Sequence, residues 1–239
     1  MKCLILAGGF ATRLYPLTVN KAKALLEYKG KSVISYIIDK IPAEIPVMVS
    51  INTKFEEDFI KWQSKFGRPI KICVEQAASD DQKKGAVGSI DYWIKSENIT
   101  ENLLVIAGDN YFEFDLPRMI SNFDGENAMI AVHDVGDKEK ACEIGKACQV
   151  GLVILEGEKV VRLDEKPAVP TSSIVSTGIY IIPQRLFSLL SLYCEERRRD
   201  NMGSLISHLL EKKEIVYAHA FNEIWMDIGD EIKRGRLSI

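Results

Sequence analysis

Two glycines followed by a hydroxyl, a guanidinium and, ten residues on, an ammonium form the densest chemical pattern in this chain. The stretch reads Leu6-Ala7-Gly8-Gly9-Phe10-Ala11-Thr12-Arg13, with Lys23 after it. Glycine lets a chain turn sharply and bring bare amides against a ligand. Amides combined with fixed cations are how a protein holds a polyphosphate. The glycine pair alone would equally make a tight turn. Two familiar phosphate loops are excluded. Nothing matches the gap and Gly-Lys-Ser/Thr ending of a P-loop. Ala11 stands where a dinucleotide fingerprint has its second glycine, and Pro16 would interrupt the first helix. Further along, Gly108-Asp109 closes an apolar run. A carboxylate there suits a hard cation bridging phosphates, or the capping of a helix near Asp115. Asp227, next but one to Trp225, could cap the last helix. Glu165-Lys166-Pro167 is, by itself, an ordinary surface sequence.

These residues need elements to hold them. Cys3 to Ala7 is an apolar run of the kind found in strands buried on both faces. Val33, Ile34, Ile37, Ile38 and Ile41 make a helical stripe over residues 31–40, and Val47 to Ile51 is a second buried strand. Phe55, Phe59, Ile60 and Trp62 mark a helix that ends near Gly67; Ile70 to Val74 is a third strand. Strand-helix-strand-helix-strand implies parallel strands joined by right-handed crossovers. Gln76 follows at the carboxyl end of the third strand, where open parallel sheets bind ligands. A polar loop from Ala78 to Lys84 then leads to Gly85, which opens a helix containing Ile90 and Trp93. Gln76 could be merely exposed and Gly85 merely a cap.

Asn102 to Ala107 and Ala128 to His133 are further strands. Gln149 to Leu155 and Lys159 to Leu163 read as a hairpin turning at Glu156-Gly157-Glu158. Pro167 stops the second arm and leaves Glu165 and Lys166 at its mouth. A strand over Ser176 to Ile182 follows, then helices over Pro183–Tyr193 and Ser204–Lys212, a strand at Val216–Phe221 and a short last helix through Leu237. The charged stretches Asp137–Lys146 and Glu195–Asp200 read as solvated faces.

At 239 residues, the chain suits one α/β domain of ordinary size, able to bury roughly seven-tenths of its unfolded surface without a disulfide or structural metal. Thirty-one basic against thirty-four acidic residues give a net charge of −3. With no basic stripe, neither a nucleic acid nor an anionic membrane is indicated as a partner. Five cysteines without a C-x-x-C pair fit a reducing cytoplasm, with Cys3 and Cys73 expected as buried thiols. The first apolar run ends after five residues, too short for an export signal, and no stretch approaches a membrane span. A soluble, cytoplasmic chain is expected.

Leu6-Ala7-Gly8-Gly9-x-x-Thr12-Arg13-Leu14-x-Pro16-Leu17-Thr18 with Lys23-x-Leu25 closely resembles the signature of the sugar-phosphate nucleotidylyltransferases. These enzymes make nucleotide-sugars from a nucleoside triphosphate and a sugar 1-phosphate. Gly108-Asp109-Asn110, Glu165-Lys166-Pro167 and Trp225-x-Asp227-Ile228-Gly229 resemble later motifs of that family, in its order. There are three departures. The family usually has glycine where Ala11 stands, proline where Ala22 stands and asparagine where Ser176 stands. Ala11 is tolerable provided that its position does not need positive φ.

The resemblance implies a Rossmann-like three-layer α/β sandwich with a mixed, mostly parallel central sheet, the nucleotide-diphospho-sugar transferase fold. It implies a single catalytic domain over residues 1–239, without the C-terminal β-helix of some relatives. Leu6, Ala7, Gly8 and Gly9 with Gln76 and Gly85 would bind the nucleotide; Glu165, Lys166 and Gly178 would bind the sugar phosphate. Arg13, Lys23 and Lys166 would supply positive charge to the reacting phosphates, and Asp109 and Asp227 would hold Mg²⁺. Gln76, with a donor and an acceptor, suits a pyrimidine's imide edge, which favours dTTP or UTP with glucose 1-phosphate. Two alternatives stay open: transfer to another phosphate such as phosphocholine, and a silent nucleotide-sugar-binding regulatory subunit. Oligomeric state is not legible, and a homo-oligomer is compatible with everything above.

Overall fold

The computed structural model describes residues 1–142, 148–196 and 201–237. The ends of the charged stretches at 137–146 and 195–200 lie outside them. In chain order the elements begin with β1 (Lys2–Leu6), β2 (Glu27–Tyr28), β3 (Lys31–Ser32), α1 (Val33–Lys40), β4 (Val47–Asn52), α2 (Glu56–Gln63) and β5 (Ile70–Glu75). Next come α3 (Ala86–Ser96), β6 (Leu103–Ala107), β7 (Asn110–Phe112), α4 (Leu116–Ser121), β8 (Ala128–Asp134) and α5 (Lys138–Ala141). The rest are β9 (Gly151–Glu156), β10 (Lys159–Glu165), β11 (Ile174–Ile182), α6 (Phe187–Glu196), α7 (Met202–Glu211), β12 (Val216–Phe221), β13 (Trp225–Asp227) and α8 (Ile228–Lys233).

Two compact units emerge. The first comprises Met1–Lys83, Val105–Pro117 and the chain from Ile224 onward; the second comprises Lys84–Leu104 and Arg118–Glu223. In the first, β1 pairs in parallel with β4, and β4 with β5, in continuous register from Cys3↔Val47 and from Val47↔Ile70. The expected strand-helix alternation is what forms. β1 and β4 are almost wholly buried, as strands covered on both faces must be. The helix expected over 31–40 starts only at Val33, because Lys31-Ser32 turns back to pair with Glu27-Tyr28.

A second small ladder was not legible in the sequence. β13 pairs antiparallel with β7, with Asp227 opposite Asn110, Met226 opposite Tyr111 and Trp225 opposite Phe112. Beneath it Val33, Tyr111 and Ile228 form a buried apolar cluster, against which Tyr28, Tyr36 and Met226 pack. The Tyr111 ring stands edge-on to Tyr28 and Tyr36, at centroid distances of 4.9 and 5.1 Å. A three-residue ladder is weak alone, and this aromatic packing is what holds it.

The second unit is mixed. β12 runs parallel to β8, whereas β11 with β8, β10 with β9 and β10 with β12 are antiparallel. The sheet is mixed as expected, with parallel pairs β1–β4 and β4–β5 in the first unit and β8–β12 in the second. The hairpin β9–β10 forms as expected, closing at Gly157-Glu158. Among the cysteines, Cys3, Cys73 and Cys194 are buried thiols. Cys142 and Cys148 are joined in a disulfide, which corrects the reading of all five as reduced. The five residues between them carry no sequence signal for the pairing.

Candidate active site

The first unit assembles the site from three separate stretches. At the end of β1 the chain leaves its ladder as Ala7 donates to the Ser50 carbonyl, at 2.8 Å. Asn52 Nδ2 then donates to the Gly8 carbonyl at 3.0 Å. A Cβ at Gly8 would stand 3.6 Å from the Ile51 carbonyl carbon, so the turn lies against β4. Asn52 was missed by the sequence reading, although a polar residue closing a largely apolar strand is a usable signal. Beyond the glycines Ala11 adopts φ 48° and ψ 39°, the left-handed region. The tolerance expected for this departure assumed otherwise, so that expectation is corrected. The loop is held there by Thr18, fully buried, whose hydroxyl donates to the Ala11 carbonyl at 2.8 Å. Ala22, by contrast, keeps φ −63°, a value that proline would share, and its departure changes nothing in the backbone. Arg13 lies exposed on a 3-10 turn, Thr12–Leu14.

Gly108 carries the second stretch. Its amide donates to the Leu6 carbonyl at 2.9 Å, and a Cβ here would come within 3.0 Å of that oxygen and 3.1 Å of Ala7 Cβ. Only a glycine allows the Asp109 turn to approach the glycine loop so closely. The β7–β13 ladder brings the third stretch alongside, and Ile228 donates to the Asp109 carbonyl at 3.2 Å. Asp109 and Asp227, remote in sequence, thereby converge on one point. Lys23 Nζ occupies it, 2.7 Å from Asp109 Oδ2 and 2.7 Å from Asp227 Oδ1.

The electrostatics follow from that contact. Burial alone would pull the Lys23 ammonium down, but the charges of Asp109 and Asp227 outweigh it and raise its pKa. For Asp227 burial again opposes the charged form. Lys23, with the backbone amides of Asp230 and Gly229, holds the carboxyl below its ordinary value. Asp227 also caps α8, accepting from the Asp230 amide at 3.0 Å. The capping reading of this residue is realised.

Among the described residues no group of three or more His, Cys, Asp or Glu could hold a metal. Two hard carboxylates that already share a cation are nonetheless what Mg²⁺ requires of a protein when phosphates and water complete its shell. The residues fit the ion.

Gln76 stands exposed just beyond β5. Gly85, in the second unit, is the N-cap of α3, with φ 77°. In that same unit Glu165 ends β10 and Lys166 follows at φ 47°, a left-handed conformation for a non-glycine residue. Such strain concentrates at functional positions. Lys166 Nζ lies 3.9 Å from Glu165 Oε1. The Glu165 carboxylate nests where two glycines lack side chains. A Cβ at Gly151 would be 3.2 Å from its Oε2, and one at Gly203 would overlap it. Burial raises the Glu165 pKa, with Lys166 acting in the opposite sense. Gly178 sits at φ 77° where β11 shifts register between Ser176 and Tyr180. The Ser176 hydroxyl is 3.0 Å from that of Tyr180. Neither Gly151 nor Gly203 was singled out from the sequence.

An α/β chain that sets a glycine turn beside cations and a pair of aspartates combines residue types that can hold polyphosphates. A model of the nucleotidyl transferase family matches residues 2–231, and the chain belongs to that family. A Sulfolobus acidocaldarius protein provisionally named a mannose-1-phosphate guanyltransferase is 25% identical over 231 residues, 96% of this chain and 60% of that one. The bifunctional protein GlmU of Methanocaldococcus jannaschii is 29% identical over 231 residues, 96% of this chain and 51% of its own. The chain thus spans about half to three-fifths of these relatives' length. A Bacillus anthracis crystal structure, provisionally described as a glucose-1-phosphate thymidylyltransferase in complex with sucrose, shares the fold. Its TM-score is 0.80 at 24% identity, covering 99% of this chain and 94% of that one. No described helix is long and apolar enough to cross a membrane.

Proposed function

We propose that this protein transfers a nucleotidyl group from a nucleoside triphosphate to a sugar 1-phosphate and releases pyrophosphate. The observation that carries the reading is the convergence of Lys23, Asp109 and Asp227 beside the Gly8-Gly9 turn. Both reactants are anions, so the barrier is largely their repulsion and the entropy of aligning them. An ionised sugar phosphate needs no activating base, and no nucleophilic side chain is invoked. The amides of Gly8 and Gly9 and the Arg13 guanidinium receive the leaving pyrophosphate. Lys23 serves the α-phosphate, and Lys166 aligns the attacking phosphate while Glu165 accepts from sugar hydroxyls. Mg²⁺ held by Asp109 and Asp227 would neutralise phosphate charge as the transferred group moves. Gln76, exposed at the end of β5, supports a pyrimidine triphosphate, dTTP or UTP, with glucose 1-phosphate as acceptor.

Pyrophosphate release over a matrix of four nucleoside triphosphates and common hexose 1-phosphates, with phosphocholine as a further acceptor, tests the reading directly. Arg13→Ala is expected to cost about 10²- to 10³-fold in turnover, as for other lost charge-stabilising donors. No turnover with any sugar phosphate in the presence of Mg²⁺ would refute the function. Turnover left intact in Arg13→Ala would refute only the role given to Arg13.

A further inference from the structure

Lys23 places its Nζ between the two carboxylates that the proposed function gives to a metal ion. Its ammonium makes two 2.7 Å contacts, one to each aspartate, and its side chain is only 15% exposed. The fold makes room for it deliberately: a Cβ at Gly229 would overlap both Cε and Nζ of Lys23 and lie 3.2 Å from Asp227 Oδ1. The glycine that follows Asp227-Ile228 therefore admits a lysine. Asp227 Oδ1, one of the two oxygens that Lys23 contacts, also accepts the Asp230 amide. A +1 and a +2 charge brought to the same two carboxylates repel one another strongly in a partly buried site.

We propose that Lys23 and the divalent cation are alternative occupants of the Asp109–Asp227 pair. In the free protein the ammonium holds the cation site closed. A metal entering the pair releases Lys23 and hands its positive charge to the substrate phosphate. Metal affinity is low until a triphosphate offers the displaced ammonium a new partner, so metal and nucleotide bind with positive coupling. The inference rests on the proposed function, which makes these aspartates the metal ligands.

Mn²⁺ serves as the probe, its binding to the full chain without nucleotide followed by the loss of the free-ion electron paramagnetic resonance signal. Lys23→Met is expected to tighten Mn²⁺ binding at least tenfold. Lys21→Met removes the same charge two residues away, from a lysine paired at 3.4 Å with Glu27, and is expected to change affinity less than twofold. Equal affinity in wild type and Lys23→Met would overturn the proposal, as would equal tightening in both variants, which would reduce the effect to net charge.

The wild-type protein supplies a measurement that does not depend on a variant folding. Saturating Mn²⁺ is expected to raise acylation of Lys23 several-fold by mass spectrometry; unchanged labelling would likewise overturn the exchange. Adding Asp109→Asn to Lys23→Met separates the two levels. If the double variant still binds Mn²⁺ as tightly, the aspartates are not the ligands and the functional reading itself loses its metal site.

Discussion

At Ala11 the backbone holds φ 48° and ψ 39°, a conformation that costs an L-residue about 1–2 kcal/mol. Glycine would avoid that cost, though it loses about 0.5–1 kcal/mol more conformational entropy on folding. Ala11→Gly is therefore expected to stabilise the protein by up to about 1.5 kcal/mol, read as a raised urea midpoint at unchanged m-value. A lowered midpoint would mean that the alanine side chain makes a contact worth more than the strain. Glu165 poses the converse case, a charge held where burial disfavours it. Its folded pKa lies above the ordinary 4.5, so between the two values the folded chain binds more protons than the unfolded one. Stability then falls as pH rises through that window. Glu165→Gln is expected to be more stable than wild type at pH 7, with the difference closing as pH falls below 4.5. Affinity for sugar phosphate should weaken in the same variant, because a neutral amide replaces the accepting carboxylate. Equal stability at every pH would show that the carboxylate is solvated in the fold.

Helix α7 packs on β10 with Gly203 at the contact, and the Glu165 carboxylate fills the volume that a side chain there would need. Gly203→Ala must displace either the helix or the carboxylate. Overpacking of this kind costs about 1–3 kcal/mol, and the variant should raise KM for sugar phosphate about tenfold while KM for the triphosphate holds. Both values unchanged would mean that α7 yields without moving Glu165. Elements also mark how far the sequence could be read. β1, β4 and β6 are largely apolar runs bounded by turn residues and β5 alternates in polarity, and Gly108-Asp109 at the tip of β6 was legible for the same reason. The β7–β13 ladder was not, because three residues at each of two remote positions carry no periodicity. Yet that ladder is what sets Asp227 beside Asp109, so from sequence their convergence rested on resemblance alone. The disulfide, the left-handed Ala11 and the two glycines around Glu165 were hidden likewise, each being a property of spatial neighbours.

Each compact unit is discontinuous. Chain from both ends and the middle builds the first, so no single cut isolates the residues at Gly8, Asp109 and Asp227. The protein as a whole carries a net charge of −3, which offers polyanions no general attraction; binding must come from local cations and oriented amides. The residues proposed for binding are divided between the units, with the glycine turn, Arg13, Lys23 and both aspartates in the first, and Glu165, Lys166 and Gly178 in the second. Ligands that bind only the native state suppress the openings through which amides exchange, by about 100-fold when present at 100 times Kd. A non-hydrolysable triphosphate with Mg²⁺ should therefore slow hydrogen exchange in peptides spanning Leu6–Lys23, Asn110–Phe112 and Trp225–Asp227. A sugar 1-phosphate alone should slow peptides spanning Leu163–Pro167 and Ser176–Tyr180, with the glycine turn unaffected. Protection of the first unit by both ligands, and of the second by neither, would place the acceptor phosphate away from Lys166 and take the sugar-side residues out of the reaction.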